Sequence, residues 1–281
     1  MIVRLEQACL ITIDFTCKAL AQRGISLFET ICGLSWRDIP LVLSHHSNEK
    51  RCAFIVPPGE YSLRLYGFGR GVPVPGSGGA PTHEMTQAVI VKPGQRRLDL
   101  GTVDLQPTDQ GLMVGNPAPE LANIALWKNT KPLRLADLRD KVIVLAFWSR
   151  NCTGTPGMVA WLNGVRNRLA DRGLEIIAIH NADSELSDIA AFNTLAEPAV
   201  DEFAASFEDE IGTVDLPIAV AGGDGLGDVY RAYRVDRWPT GFLIQRNGNV
   251  AHVFQHGAHE NAIERALDRT EQAPATADHS P

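Results

Sequence analysis

One cysteine stands where a thiol can be chemically active. Cys152 follows the apolar run 142–146, which predicts a buried strand, and it precedes Pro156, a residue suited to the first turn of a helix. A thiol between a strand end and a helix start lies close to unpaired backbone N–H groups, which favour the reactive thiolate. The Thr155 hydroxyl and the positive charge of Arg150 are expected to stabilise the thiolate further. The sequence therefore predicts a thiol site with Cys152, Thr155 and Arg150 as its catalytic residues.

A second segment that bears on this chemistry lies far downstream. Trp238-Pro239-Thr240 stands directly before the apolar run 242–244. A cis peptide bond at Pro239 would present the backbone of Trp238, to which an extended peptide or a small disulfide could pair. Trp148, at the predicted strand end, and Trp238 would shield the thiolate from water. Trp148, Trp238, Pro239 and Thr240 are therefore the predicted substrate-binding residues.

Together these segments resemble the thioredoxin-like redoxins, in particular the AhpC/TSA and TlpA/ResA group. In that group the strand ends in a Phe-Trp-Ala-x-Trp-Cys-x-x-Cys pattern, and a cis-proline faces the reactive cysteine. Phe147-Trp148, Cys152 and Trp238-Pro239-Thr240 match this pattern. The second cysteine of the motif is replaced by Thr155, so no disulfide can form within the motif and ordinary dithiol exchange is not expected.

The resemblance implies an α/β thioredoxin-like fold, with a central mixed sheet flanked by helices, over residues 112–270. It implies thiol-based redox chemistry through Cys152, as a monothiol oxidoreductase or a thiol peroxidase-like protein. The implied partners are an external thiol donor (thioredoxin or a small thiol) and a disulfide or peroxide substrate. No metal or organic cofactor is implied.

Three alternatives to this function stay open. The domain could be redox-inactive and bind an extended peptide on its cis-proline face. Cys-x-x-Thr also occurs in the glutathione-peroxidase group, which adds separate Gln and Trp-Asn elements; Trp127, Gln245 and Gln255 are the residues available here. Finally, a cysteine of the first third of the chain, such as Cys52, could reach Cys152 and resolve it.

The first third of the chain has a different pattern. Runs with apolar residues at every second position, such as 61–66, 87–91 and 98–105, predict the short strands of a small all-β, antiparallel sandwich. The phrase Pro-Pro-Gly-Glu-Tyr-x-Leu at residues 57–63 resembles the carboxypeptidase regulatory-like β-sandwich. The predicted domain boundaries are as follows: a sandwich over 1–106, with 1–40 uncertain; a linker over 107–111; the redoxin domain over 112–270; and a disordered tail over 271–281.

Composition and charge narrow the range of partners. The chain has 281 residues, a net charge of −7 and no basic stripe, which argues against nucleic acid. Its apolar runs fall short of the ~18–20 residues of a membrane span. The apolar stretch 8–13 is short and is followed by Asp14, which makes a poor signal peptide. A cytoplasmic location is therefore the default expectation, and export is expected only if residues are missing upstream.

Four of the five cysteines lie in apolar contexts: Cys9, Cys17, Cys32 and Cys52. We expect them to pack as small hydrophobic residues, with a disulfide among them only if the protein is exported. His180 follows a predicted strand, at the end where open α/β sheets place their sites. It is a candidate base, although a structural role is the more common one for such a histidine.

Overall fold

The computed structural model describes residues 8–18, 27–36, 39–47, 51–69, 83–149, 155–180, 215–222, 227–236, 238–254 and 260–268. The chain divides into an N-terminal unit, Met1–Pro75 with Gly79–Leu112, and a C-terminal unit, Gly76–Gly78 with Met113–Pro281. The predicted tail over 271–281 lies outside the described residues.

The described part of the N-terminal unit is built mainly from strands. Its two sheets have the orders β4-β1-β7 and β3-β2-β5-β6-β8. The strands are β1 (Cys9–Thr16), β2 (Leu27–Trp36), β3 (Ile39–Ser47), β4 (Arg51–Val56), β5 (Gly59–Gly69), β6 (His83–Val91), β7 (Arg97–Asp104) and β8 (Gln106–Pro107). Buried side chains from both sheets form one hydrophobic core, so this unit is an all-β structure of two packed sheets.

Alternation of side chains explains how each strand joins this core. In β1, Cys9, Ile11, Ile13 and Phe15 are buried and the residues between them are partly exposed, as the two-residue period of a strand requires. The uncertain segment 1–40 contributes β1 and β2, which lie in different sheets. The antiparallel prediction fails at one place, because β1 pairs with β7 in parallel.

A disulfide joins the two sheets of the N-terminal unit. Cys32 of β2 is bonded to Cys52 of β4, with a Cα–Cα distance of 6.7 Å, and both residues are buried. The expectation that all four cysteines pack only as small hydrophobic residues is therefore wrong for this pair. Cys9 is buried and Cys17 is partly exposed, and neither belongs to a disulfide. Because Cys52 is bonded to Cys32, it has no thiol with which to resolve Cys152 in this state.

A buried histidine makes the N-terminal unit sensitive to pH. His83 of β6 is 1% exposed. Burial lowers its pKa from 6.5 to about 4, although the negative charge of Asp104 acts to raise it. In the unfolded chain His83 takes up a proton near pH 6.5. Above pH 6.5 His83 is neutral in both the folded and the unfolded protein, and the free energy of unfolding has its full value. As the pH falls from 6.5 towards 4, only the unfolded chain takes up the proton, so the free energy of unfolding decreases. The loss is at most about 3 kcal/mol, since a tenfold difference in proton affinity is worth about 1.4 kcal/mol.

Replacing His83 with glutamine is expected to remove this part of the pH dependence. Urea denaturation at pH 7 and pH 4.5, followed by far-UV circular dichroism, measures it in both proteins. Carboxylates other than Asp104 titrate equally in the two proteins, so the difference between the proteins reports His83 together with its interaction with Asp104. An unchanged pH dependence in His83→Gln would contradict the assignment.

The predicted linker contains regular structure. Strand β8 pairs with β6, and helix α1 (Asp109–Met113) follows it. Thr108 starts this helix, because its hydroxyl accepts a hydrogen bond of 2.9 Å from the Gly111 N–H, as a helix N-cap does. Residues 107–111 therefore include the capped start of a helix and do not form only an irregular connection.

The C-terminal unit is a mixed sheet with helices. The sheet has the order β14-β13-β10-β11-β12-β9; β10, β11 and β12 are parallel, and the other pairs are antiparallel. Its strands are β9 (Ile124–Lys128), β10 (Val142–Trp148), β11 (Leu174–His180), β12 (Ile218–Ala221), β13 (Thr240–Ile244) and β14 (Val250–Phe254); its α-helices are α2 (Thr155–Leu169), α3 (Asp228–Ala232) and α4 (Glu260–Asp268), with 3-10 turns at Leu135–Leu138 and Ala170–Arg172. The predicted fold, a thioredoxin-like α/β domain after an all-β region, is confirmed.

The central strand explains the position of the main core. Every residue of β10 is buried, as expected for a strand covered on both faces. Helix α2 contributes Val159, Leu162 and Val165 to the core, and α4 contributes Ile263 and Leu267. Within the described residues, no helix is long and apolar enough to cross a membrane.

Candidate active site

The site is organised around the carboxyl end of β10. Trp148 is the last residue of this strand and pairs with His180, the last residue of the parallel strand β11. The two rings are 4.2 Å apart between centroids, at 54° to each other, and both side chains are buried, as is that of Ser149. The chain enters the Cys152 motif directly after Ser149. The predicted cysteine segment therefore starts at the edge of the sheet where open α/β folds place their sites.

The cysteine motif itself lies largely outside the described residues. Arg150 and Cys152 are not described, and Thr155 is described only as the first residue of helix α2. Their catalytic roles therefore stay predictions. In sequence, Cys152 stands between the end of β10 and the start of α2, which is the arrangement that the apolar run and Pro156 predict.

The cis-proline segment approaches the same edge from the other side of β10. The Trp238–Pro239 peptide bond is cis; Pro239 and Thr240 are buried and Trp238 is partly exposed. Thr240 pairs with Phe147 in the antiparallel ladder of β13 and β10. The four predicted substrate-binding residues thus belong to adjacent strand ends: Trp148 ends β10, and Trp238, Pro239 and Thr240 lead into β13.

The residue after Thr240 has to be a glycine. A Cβ atom on Gly241 would overlap the ring of Phe254 on the neighbouring strand β14. That ring is buried in the main core, so it has no room to retreat from an added methyl group. Gly241 therefore lets β14 pack closely against the strand that carries the cis-proline segment.

A tyrosine that the sequence interpretation did not identify connects these parts. Tyr230 of α3 is completely buried, and its hydroxyl lies 2.8 Å from the carbonyl oxygens of both Trp148 and Ile179. Its ring is 6.3 Å from that of Trp238. Burial raises the pKa of Tyr230 well above 10. The sequence could have indicated Tyr230, because a tyrosine at a buried position of a helix needs a hydrogen-bond partner for its hydroxyl group.

The structure also bears on His180 and on the peroxidase-like elements. His180 is 4% exposed and packs against Trp148, which fits the structural role better than that of a solvent-facing base.

Gln245 follows the far end of β13, where its backbone N–H bonds to Asn249. About 3.3 Å per residue separates positions along a strand, so Gln245 lies roughly 16 Å from Thr240. Trp127 belongs to the edge strand β9, and Gln255 is outside the described residues.

These features define the class of the C-terminal unit. The unit has a central pair of parallel strands and an antiparallel hairpin that starts at a cis-proline. In sequence, its cysteine motif stands between a strand and a helix. These features are typical of a thioredoxin-like redoxin domain. Residues 114–253 match the AhpC/TSA family, so this part of the chain is an AhpC/TSA-type domain. The match begins at residue 114, so the carboxypeptidase regulatory-like resemblance of the N-terminal unit stays a prediction.

Individual proteins are similar to about half of the chain. The DipZ protein of Mycobacterium bovis is 28% identical over 139 residues, which cover 48% of this chain and 18% of DipZ. The thiol-disulfide oxidoreductase ResA of Geobacillus kaustophilus is 28% identical over 155 residues, which cover 55% of this chain and 76% of ResA. Among solved structures, a thiol-disulfide isomerase from Corynebacterium glutamicum is 20% identical, with a TM-score of 0.43, over 54% of this chain and 98% of that chain. The chain thus matches less than a fifth of DipZ and about three quarters of ResA.

Proposed function

We propose that this protein is a thiol-disulfide oxidoreductase that works through a single thiol, Cys152. The observation that carries the proposal is the convergence of Trp148 and the cis-Pro239 segment at the sheet edge where the Cys152 segment begins. The AhpC/TSA match and the similarity to ResA, a thiol-disulfide oxidoreductase, support this reaction class. Thr155 and Arg150 would stabilise the thiolate of Cys152.

The proposed reaction exchanges one disulfide for another. The Cys152 thiolate attacks the small-thiol sulfur of a mixed disulfide between a protein and a small thiol. The S–S bond breaks, the small thiol becomes bonded to Cys152, and the protein leaves as a thiolate that takes a proton from water. A second small thiol then attacks the bound small-thiol sulfur as its thiolate, releasing the Cys152 thiolate and a symmetrical small-molecule disulfide. One mixed disulfide and one small thiol thus give one protein thiol and one disulfide.

The substrate would bind along the cis-proline segment. Pro239 and Thr240 are buried, and Thr240 is held by the β13–β10 ladder, so the two residues would form a rigid support beside the cysteine motif. An extended segment of the substrate would pair with the backbone at Trp238, as peptides do when they add to a strand edge. The indole rings of Trp148 and Trp238 would limit the access of water to the reacting sulfurs.

The structure favours this reaction over the peroxidase-like alternative. The glutathione-peroxidase group needs a glutamine and a tryptophan close to the reactive residue. Gln245 lies at the end of β13 remote from Thr240, and Trp127 lies on the edge strand β9, separated from β10 by β11 and β12. These two residues therefore give no support to a peroxidatic site at Cys152.

The pH dependence of iodoacetamide labelling at Cys152 tests the proposal. Peptide mass spectrometry follows each cysteine separately, so the partly exposed Cys17 serves as a reference thiol in the same sample, and Cys152→Ser identifies the peptide. We expect a labelling midpoint well below 8 at Cys152, because an ordinary thiol titrates at about 8.5. A midpoint at or above that of an ordinary thiol would refute the proposal and favour a redox-inactive module that binds peptides on its cis-proline face.

A further inference from the structure

The Cys32–Cys52 disulfide is enclosed by the core of the N-terminal unit. Cys32 is 0% exposed and Cys52 is 1% exposed, although β4, which carries Cys52, is an edge strand of its sheet. Leu65 lies directly opposite Cys32, and Ile13 lies directly opposite Cys52; opposite residues of an antiparallel pair share one face of the sheet. Leu65 and Ile13 are both fully buried, so apolar side chains of both sheets pack around the bond.

Reduction of a disulfide needs direct contact between sulfur atoms. The thiolate of a reductant attacks one sulfur of the bond, forms a mixed disulfide with that cysteine and releases the other cysteine as a thiolate. With a dithiol reductant, the second thiol then displaces the first cysteine, so the reductant leaves as a disulfide and its two protons pass to the cysteines. The rate depends on the access of the thiolate to the bond, which the closed core prevents.

We propose that the Cys32–Cys52 bond is a redox switch that thiols can operate only when the core of the N-terminal unit opens. A thiol donor can therefore act on exposed sites of the protein while the cross-link stays intact. Once an opened unit has been reduced, it lacks the cross-link that restricts its unfolded chain, so it opens more often. The unit thus responds to a reductant only where it is already destabilised, and this response does not depend on the chemistry of Cys152.

Cys9 provides a reporter for the opening of the same core. It is 0% exposed, it belongs to the same group of packed residues as Cys32 and Cys52, and it is not part of a disulfide. Iodoacetamide therefore reaches the Cys9 thiol only after the core has opened. Cys17 is partly exposed and also outside the disulfide, so it shows the reactivity of a thiol that needs no such opening.

The first measurement compares the folded protein with the protein in urea. Samples taken during treatment with dithiothreitol are quenched by alkylation, and peptide mass spectrometry gives the reduced fraction of Cys32 and Cys52. Because core strands open only rarely in a folded domain, we expect reduction to be at least about a hundredfold slower in the folded protein. In separate samples without reductant, Cys9 labelling should be slowed in the same way, whereas Cys17 should label rapidly in the folded protein.

Two matched variants distinguish opening of the core from direct attack on the bond. Ile13→Val removes one buried methylene group opposite Cys52, and Thr12→Ser removes one methyl group from the partly exposed neighbouring residue. Loss of a buried methylene makes opening more frequent, so Ile13→Val should accelerate reduction of the bond and labelling of Cys9 by the same factor, about twofold to tenfold. Thr12→Ser should change either rate by less than about twofold.

A third variant tests the effect of the lost cross-link. In Cys32→Ala/Cys52→Ala the unit should open more often, so Cys9 should label at least about tenfold faster than in the wild type. An unchanged labelling rate would show that the bond does not control opening, and the switch would be disproved.

The remaining outcomes are equally distinct. Reduction of the folded protein at the rate seen in urea would overturn the inference, and so would faster labelling of Cys9 in Ile13→Val without faster reduction of the bond. Equal acceleration of the two reactions supports it. The readouts at Cys9, Cys32 and Cys52 make no use of Cys152, so ordinary thiol reactivity at Cys152 would refute the proposed function alone.

Discussion

Thr155→Cys is expected to turn the single-thiol site into a dithiol site and to accelerate the reduction of insulin disulfides by dithiothreitol. Thr155 is the first residue of helix α2 and stands where the related redoxins have their second cysteine. The introduced thiol would attack the mixed disulfide at Cys152 from within the same molecule. Such proximity replaces an encounter with an external thiol, so we expect a rate at least about tenfold above the wild type.

Two measurements make this prediction decisive. Mass spectrometry of the oxidised variant should find a disulfide between Cys152 and the introduced thiol. The double variant Cys152→Ser/Thr155→Cys keeps the introduced thiol without its partner, and it should lose the gain in rate. No disulfide and no gain in Thr155→Cys would mean that residue 155 does not face Cys152 as in a thioredoxin-like motif.

Removal of the Cys32–Cys52 disulfide is expected to destabilise the N-terminal unit by about 3 kcal/mol. The bond closes a sequence separation of 20 residues, and a cross-link over a loop of this length restricts the unfolded chain by about that amount. It also joins one strand of each sheet, so its loss removes a covalent tie across the core. Urea denaturation of Cys32→Ala/Cys52→Ala, compared with the wild type, measures the effect.

A buried cysteine outside the disulfide serves as a control, because it separates the effect of the cross-link on stability from the effect of side-chain packing. Cys9 belongs to the same core, so Cys9→Ala loses a buried sulfur while keeping the cross-link. A reductant should weaken the wild type and Cys9→Ala but should leave the double variant unchanged. Thiol titration of the denatured, unreduced wild type should give three thiols per chain rather than five. A count of five would contradict the bond.

Local sequence patterns were sufficient to predict the centre of the redoxin domain. The run 142–146 has the length and apolarity of a buried strand, and Pro156 marks a helix start, so β10 and α2 follow from neighbouring residues alone. These predictions are confirmed because each depends on contacts that lie close together in the chain.

Features that depend on distant contacts could not be predicted in this way. The spacing of Cys32 and Cys52 does not indicate that β2 and β4 lie in opposite sheets, so the sequence alone does not predict their disulfide. The parallel pairing of β1 with β7 contradicts the antiparallel pattern that successive short strands indicate. Tyr230 has an ordinary helical context, and its importance appears only when the ends of β10 and β11 are known.

The long-range contacts of Tyr230 also have a consequence for how the domain folds. Tyr230 is 82 residues from Trp148 and 51 residues from Ile179 in sequence, so closing these contacts carries a large cost in chain entropy. Contacts of such high sequence separation form only after much of the chain is in place. We therefore expect the site to assemble late in folding, and fragments of the chain that stop before α3 to hold the cysteine motif without its active surroundings. Reactivity at Cys152 should consequently appear together with the global folding transition of the C-terminal unit.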